Sequence, residues 1–253
     1  MTSLSKQKTP TMPPSPHPIV LSPSTPSELL QYVISHHRYP TTILIGWPKQ
    51  TFIEGLVEDV ALQLSLQQDP STSENIKEDK TQTEPSDKTS SSLHPLQRKT
   101  LLQTAVSRHI RLLFIPSTTH LRAYLGTFSA SESKIPPPTL SGLDESDPRC
   151  KTATPLLLVY GFLELHRDGT EWSAQGIGTT AAYLVEAAAR NLFRAAVAEP
   201  RGSRDHQLLH DFLDEKMPIL SGTAVKDDGS WSGRTVPVRA VLSRWFECEQ
   251  DEI

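Results

Sequence analysis

Cysteine is nearly absent: two in 253 residues, Cys150 and Cys248, far apart and in no metal-ligand spacing. That excludes a disulfide framework and a cysteine-based zinc site, and no metal is expected. The default compartment is a reducing one, nuclear or cytoplasmic. Long apolar runs are missing as well. The longest, such as Pro155 to Tyr160, fall far short of the roughly 20 residues a bilayer requires. Residues 1–18 carry no apolar core like that of a signal peptide. An excess of charge of one sign is lacking too. Twenty-five Lys+Arg stand against 29 Asp+Glu, a formal net charge of −4. This balance argues against blanket attraction to nucleic acid and leaves room for a local basic patch. No compact Lys/Arg cluster reads as a nuclear signal.

What is there alternates between two kinds of apolar segment. Residues 1 to about 24, rich in Ser, Thr and Pro, read as a disordered tail before a domain over residues 25–250. Ser27 offers an N-cap to a helix containing Glu28 to Ile34. Thr41 to Ile45 is β-branched and apolar throughout, as suits a strand buried on both faces. Gly46-Trp47-Pro48 breaks it, and Thr51 to Leu66 reads as a helix with Phe52, Leu56, Val60 and Leu64 at i, i+4 spacing. Residues 68–93 are almost without apolar groups, so burial cannot offset their ordering entropy. They read as an insertion in a surface loop. Pro95 to Arg108 reads as a helix with Leu101, Leu102, Ala105 and Val106 inward. Ile110 to Ile115 reads as a strand and Thr118 to Thr127 as a short helix. Residues 129–154, with Pro136-Pro137-Pro138, form a second insertion. Pro155 to Phe162 is the strongest strand signal, followed by a polar loop, an Ala-rich helix over Gly178 to Asn191 and a strand over Leu192 to Ala198. Residues 201–216 read as a charged loop with a helical turn. Ile219 to Val225 and Thr235 to Cys248 flank Asp227-Asp228-Gly229-Ser230, a β-hairpin signature. The expected fold is α/β: a mostly parallel sheet flanked by helices, with a C-terminal antiparallel hairpin at one edge.

The segment Gly46-Trp47-Pro48-Lys49-Gln50-Thr51 reads as the first strand-to-helix turn, where free N–H groups and a positive dipole end favour phosphate. A working phosphate loop needs G-x-x-x-x-G-K-[ST]. Here the turn is too short, Pro48 replaces a flexible Gly and removes a donor, and Gln50 stands where the Mg²⁺-holding hydroxyl belongs. The strand ending in Tyr160-Gly161-Phe162 also lacks the metal-holding acid such enzymes place there. Glu164 lies a little beyond and reads as a solvated carboxylate. These two losses argue against an enzyme, so no catalytic residue and no cofactor is expected.

Other constellations are weaker. Gly176-Ile177-Gly178, with Ala181 in the place of a third glycine, is a partial dinucleotide fingerprint, but a loop of over ten residues separates it from Phe162. His36-His37 sit side by side on a helix and face different ways. His206 and His210 have i, i+4 spacing with no third ligand. His166 and Asp168 form a loop pair with no nucleophile at a G-x-S-x-G elbow. Arg234, Arg239 and Arg244 accompany the hairpin, where exposed charge blocks edge aggregation, and Pro237 suits an edge strand. Arg201, Arg204 and His206 lie in a charged loop that reads as solvated, with contact to nucleic acid as the alternative.

The order of these segments carries a resemblance. TTILIG leads to a helix, LLLVYGF takes the place of the metal-carboxylate strand, LFRAAVA follows a long helix, and WSGRTV precedes AVLSRWFECE. Over roughly residues 27–248, without the insertions, this resembles the RecA-like ATPase core. Within it, the chain is similar to divergent, nucleotide-free fungal paralogues: recombinase paralogues of the Shu-complex type and RecA-like subunits of the Elongator accessory subcomplex. The resemblance implies a pseudo-ATPase paired with a sister RecA-like subunit. Such an assembly would bind DNA in homologous recombination, or tRNA in wobble-uridine modification. By position, Arg167, Arg201, Arg204 and Lys49 would be its nucleic-acid contacts. A Rossmann-type small-molecule enzyme using Gly176 and Gly178 is the reading from a different class.

Overall fold

A computed structural model describes residues 17–36, 40–68, 101, 104, 107–132, 155–167, 171–201, 208–220 and 233–248. In chain order the elements are β1 (Ile19–Val20), α1 (Pro26–His36), β2 (Thr41–Ile45), α2 (Lys49–Gln68), β3 (Ile110–Phe114), α3 (Thr118–Thr127), β4 (Leu156–Tyr160), α4 (Phe162–Arg167), α5 (Ala174–Arg190), β5 (Arg194–Ala198), α6 (Leu209–Asp214), β6 (Lys216–Pro218), β7 (Thr235–Pro237), α7 (Val238–Leu242) and β8 (Glu247–Cys248). Leu101, Thr104 and Ser107 are helical as well.

Six strands form one sheet in the order β3-β2-β4-β5-β1-β8, and every pairing in it is parallel. The central strands β2, β4 and β5 are buried almost throughout because both faces are covered. Alternation then divides each strand between two cores. Ile43 and Ile45 of β2, Leu156, Leu158 and Tyr160 of β4, and Ala196 and Ala198 of β5 pack with Leu29 and Val33 of α1 and Phe52 of α2. Leu44, Leu157, Val159, Ala195 and Val197 face the opposite way, toward α3, α5, α6 and α7. The α/β expectation holds: a parallel sheet flanked by helices, plus a separate two-stranded antiparallel sheet.

Several local expectations are corrected. Residues 17–24 do not belong to a tail: Ile19 and Val20 are strand, buried at 4% and 3% exposure, and paired to β5 and β8. The first helix is capped by Thr25, not Ser27, since the Thr25 carbonyl accepts the Leu29 N–H at 3.0 Å. α2 buries Phe52 and Asp59, while Leu56, Val60 and Leu64 are only half-buried and Leu101 is exposed. β3 is strand as expected and stands at the sheet's edge, with Arg111 and Leu112 exposed. The polar loop after β4 begins with a helix, α4, and α5 starts at Ala174 behind a Ser173 cap.

A small antiparallel pair is present, but its first strand is Lys216–Pro218, ahead of the expected Ile219 to Val225, of which Ile219 and Leu220 are not strand and the rest lies outside the described residues. Lys216, Met217 and Pro218 pair with Pro237, Val236 and Thr235, apart from the main sheet. The expected strand over Thr235 to Cys248 stops at Pro237. Val238, Val241 and Leu242 are buried at helical spacing in α7, and Glu247–Cys248 then joins the main sheet beside β1. The turn 227–230 and most of both insertions lie outside the described residues. Residues 130–132 of the second insertion form a 3-10 turn anchored by the Ala130 N–H on Asn191 Oδ1 at 2.7 Å.

α5 ends in a Schellman motif. The Phe193 N–H reaches the Ala188 carbonyl at 2.8 Å and the Leu192 N–H the Ala189 carbonyl at 3.2 Å. The left-handed position that usually takes glycine is Leu192, at φ 61°.

Candidate functional site at the carboxyl ends of the strands

In an open parallel sheet a ligand crevice forms beyond the carboxyl ends of two neighbouring strands whose following helices cover opposite faces. Here α1 and α2 cover one face, and α3 to α7 the other. Three such junctions result: β3 beside β2 at the sheet's edge, and β2 beside β4 and β5 beside β1 in its middle.

At β2/β4 the two chains close on each other. The Gly46 N–H donates to the Tyr160 carbonyl at 2.8 Å, and a Cβ on Gly46 would stand 2.8 Å from the Gly161 carbonyl oxygen. Gly161 itself takes φ 78°, a conformation glycine adopts without strain. Trp47 lies over this junction, edge-on to Tyr160 at 5.7 Å between ring centroids, and its indole N–H donates to Glu164. Glu164 is therefore tied to the loop and does not stand free. Lys49, Gln50 and Thr51 begin α2 as exposed side chains.

At β5/β1 the ladder continues past the strands. Ser24 and Pro200 form a parallel bridge, the Ser24 N–H donates to the Glu199 carbonyl at 3.0 Å, and the Arg201 N–H donates to the Ser24 carbonyl at 3.1 Å. The Tyr160 hydroxyl donates to the same Ser24 carbonyl at 2.8 Å. Burial, and then the carboxylates of Asp59, Glu199, Glu164 and Glu28, push the Tyr160 phenol far up, so it stays a donor.

The turn that opens the chain's first strand–helix unit is therefore not Gly46–Thr51 but Leu21–Thr25, before α1. The N–H groups of Leu21, Ser24, Thr25, Ser27 and Glu28 all have acceptors. The Thr25 N–H donates to Glu28 Oε2 at 2.9 Å and the Glu28 N–H to Thr25 Oγ1 at 3.4 Å, a capping box. Pro26 has no N–H, and its fixed φ suits the first helical position. The Ser27 N–H and hydroxyl donate to Asp59 of α2 at 3.2 and 2.9 Å. Two carboxylates thus occupy the place a phosphate would take. Arg201 closes the arrangement, holding both oxygens of Glu28 at 2.6 and 2.7 Å. A cavity of about 280 Å³ remains between Pro23, Glu28, Tyr32 and Arg201.

The residues expected to contact nucleic acid are not gathered into one patch. Arg201 is committed to Glu28. Arg167 pairs with Glu215 and lies over the Trp172 ring, 4.9 Å from its centroid. Lys49 is exposed at the start of α2 and makes no ion pair among the described residues. Arg204 lies outside the described residues, as do His37, Asp168 and His206.

The remaining sequence signals have structural roles. Gly176 sits in the first turn of α5, where its N–H is held by Ser173 Oγ at 3.0 Å and a Cβ would stand 2.3 Å from the Glu171 carbonyl oxygen. His166 is fully buried in α4. Its Nδ1 faces the Phe162 carbonyl at 2.7 Å and its Nε2 faces Thr180 Oγ1 at 2.9 Å. Burial lowers its pKa, so the ring is neutral, with Nδ1–H donating and Nε2 accepting. Arg122 of α3 ties the same network together, bonding Thr180 at 2.9 Å, the Gly176 carbonyl at 3.0 Å and the Glu171 carboxylate. Arg239 pairs with Asp214 at 2.9 Å. Among the described residues no group of three or more His, Cys, Asp and Glu could hold a metal ion, and no helix is long and apolar enough to cross a membrane.

Sequence reasoning missed Thr25, Glu28 and Asp59. The signal for two of them was present in Thr25-Pro26-Ser27-Glu28, a capping box with proline at the first helical position. No family model, no curated protein and no solved structure matches the chain.

Proposed function

We propose that this chain is a non-catalytic RecA-like subunit, a pseudo-ATPase that joins a sister RecA-like subunit in a DNA-repair assembly of the homologous-recombination type. The observation that supports the non-catalytic part most is the first strand–helix turn. Glu28 takes the N–H of the cap residue Thr25, Asp59 takes the Ser27 N–H, and Arg201 neutralises Glu28. A triphosphate entering there would have to displace a carboxylate already bonded to the same donors. The second crevice, at Gly46 and Gly161, is closed by backbone contact and covered by Trp47.

The assembly role is what the RecA-like resemblance implies once phosphate binding is set aside. The link to recombination and to a nuclear site rests on the resemblance, as does the second reading, an Elongator-type accessory subunit acting on tRNA. Arg167 and Arg201 already have carboxylate partners. Their contribution to DNA or tRNA binding would therefore be small, and the sister subunit is the primary partner in this account. The Rossmann-type reading gains no support from Gly176, whose N–H and Cβ space are already taken.

A thermal-shift titration with ATP–Mg²⁺ and with NAD tests the reading. Neither nucleotide should move the transition, because only specific binding stabilises the native state by mass action. A shift of several degrees with either would overturn it. The proteins that co-purify from the native cell then decide the assembly: recombinase paralogues fit the proposal, and Elongator subunits replace it with the second reading.

A further inference from the structure

Glu199 follows β5, and its carboxyl group is folded into the core that faces α4, α6 and α7. The residue is 5% exposed. One oxygen, Oε1, accepts the Leu163 N–H at 2.8 Å, while Oε2 has no hydrogen-bond partner among the described residues. Val20, Leu163, Leu209, Phe212, Leu213 and Leu242 surround it and enclose a void of about 10 Å³, the space of about one water. An ionised carboxylate with an unpaired oxygen is poorly tolerated in such surroundings, and the neutral acid fits them. Burial accordingly pushes the Glu199 pKa up to about 8, against the opposing pull of the Leu163 and Glu164 N–H groups and of Arg167.

The cover over this acid is slight. α6 has six residues, and it rests on the sheet's end through Phe212 and Leu213. Its outer attachments are the Asp214–Arg239 ion pair at 2.9 Å, the neighbouring Glu215–Arg167 pair, and the Val238 N–H donating to the carbonyl of the C-cap Glu215 at 2.9 Å. We propose that Glu199 is a proton-operated latch: carrying its proton it holds α6 against the sheet, and on ionising it lets α6 lift and uncover Phe212 and Leu213. This inference stands independently of the proposed assembly.

The other charges around the acid are few. α4 brings Glu164 and Arg167, both of which act on Glu199. α6 carries His210, Asp211 and Asp214 on its exposed side, with His210 3.0 Å from Asp211. α7 brings Arg239, already paired, β4 brings the Tyr160 phenol, which the Glu199 charge pushes further up, and β1 brings none.

The sign of the effect follows from linkage. In the closed form the group ionises near 8, and in the open form near its ordinary 4.5. Closure is therefore strongest below pH 4.5. It weakens tenfold per pH unit as pH rises, and levels off above about 8. Between pH 5.5 and 7.5 the opening constant of α6 should rise about a hundredfold. Amide hydrogen exchange at Phe212 to Asp214, corrected for the intrinsic pH dependence of exchange, reads this directly, with the amides of β4 as the unmoved reference.

Glu199→Gln should remove the pH dependence while leaving His210 in place. A ¹³C titration of the wild-type Glu199 carboxyl should show a midpoint well above the ordinary carboxylate range. Exchange at α6 that follows β4 at every pH, or a dependence that survives in Glu199→Gln, would overturn the latch. So would a carboxyl midpoint near 4.5, a reading that needs no variant to fold.

Discussion

Glu28 and Arg201 meet across the gap between α1 and the end of β5, with both carboxylate oxygens within 2.7 Å of one guanidinium nitrogen. The same carboxylate accepts the Thr25 N–H at 2.9 Å. One side chain thus caps a helix, anchors a cation and fills the end of the first strand–helix unit. Glu28→Ala removes all three roles. Because the pair is partly exposed, its Coulomb share is small and the cap dominates. Urea unfolding should show a loss of about 1 kcal/mol. The variant should still not bind ATP, since the turn has no lysine and its other amides remain bonded to Asp59 and Thr25.

Gly46→Ala tests how closely the β2/β4 junction is shut. The new methyl group would lie 2.8 Å from a backbone oxygen, and backbone cannot swing aside as a flexible side chain does. A loss of roughly 1–3 kcal/mol is expected, in the range of overpacking. Equal stability of the two proteins in denaturant would mean that the crevice has slack.

Leu192→Gly should do the opposite. Leu192 is 58% exposed and held at φ 61° in the Schellman turn. A side chain there strains the backbone by about 1–2 kcal/mol, while glycine adds unfolded-state entropy that offsets part of the relief. A net gain of up to about 1 kcal/mol should appear as a higher denaturant midpoint at unchanged slope.

Two buried groups give the stability profile its shape. His166 has a lowered pKa, so its contribution is present above 6.5 and is lost as pH falls toward its folded value. Glu199 has a raised pKa, so its contribution is present below 4.5 and is lost as pH rises toward about 8. Below 6.5 the two slopes oppose each other, and above it Glu199 acts alone. Stability by denaturant titration should therefore hold roughly level on the acid side and decline between about pH 6.5 and 8. Glu199→Gln should abolish the decline and leave the acid side rising with pH.

The central strands were legible because each is short, apolar and buried on both faces: TTILI, LLLVY and RAAVA each read as strand from composition alone. The outer strands were not. Ile19–Val20 lies in a stretch whose composition is that of a tail, and only pairing with β5 and β8 makes it strand. Glu247–Cys248 is likewise created by its neighbour. α4 was hidden by its length, six residues, too short for a periodic signal. The candidate site was half legible. The absence of a phosphate-binding motif could be read directly, but it was tied to the turn after β2. The unit that comes first in the chain, β1–α1, shows the loss more fully, through hydrogen bonds from Thr25 and Ser27 to Glu28 and Asp59 that no local pattern reveals beyond the capping box itself.

The central claim is that the amides of Ser24, Thr25, Ser27 and Glu28 are already bonded and not free for a phosphate. An amide-resolved NMR titration with millimolar ATP–Mg²⁺, followed at Ser24, Thr25, Ser27 and Glu28, tests it most directly. These four signals should stay where they are throughout. A saturable shift at all four, with loss of the Glu28–Arg201 pair, would contradict the account.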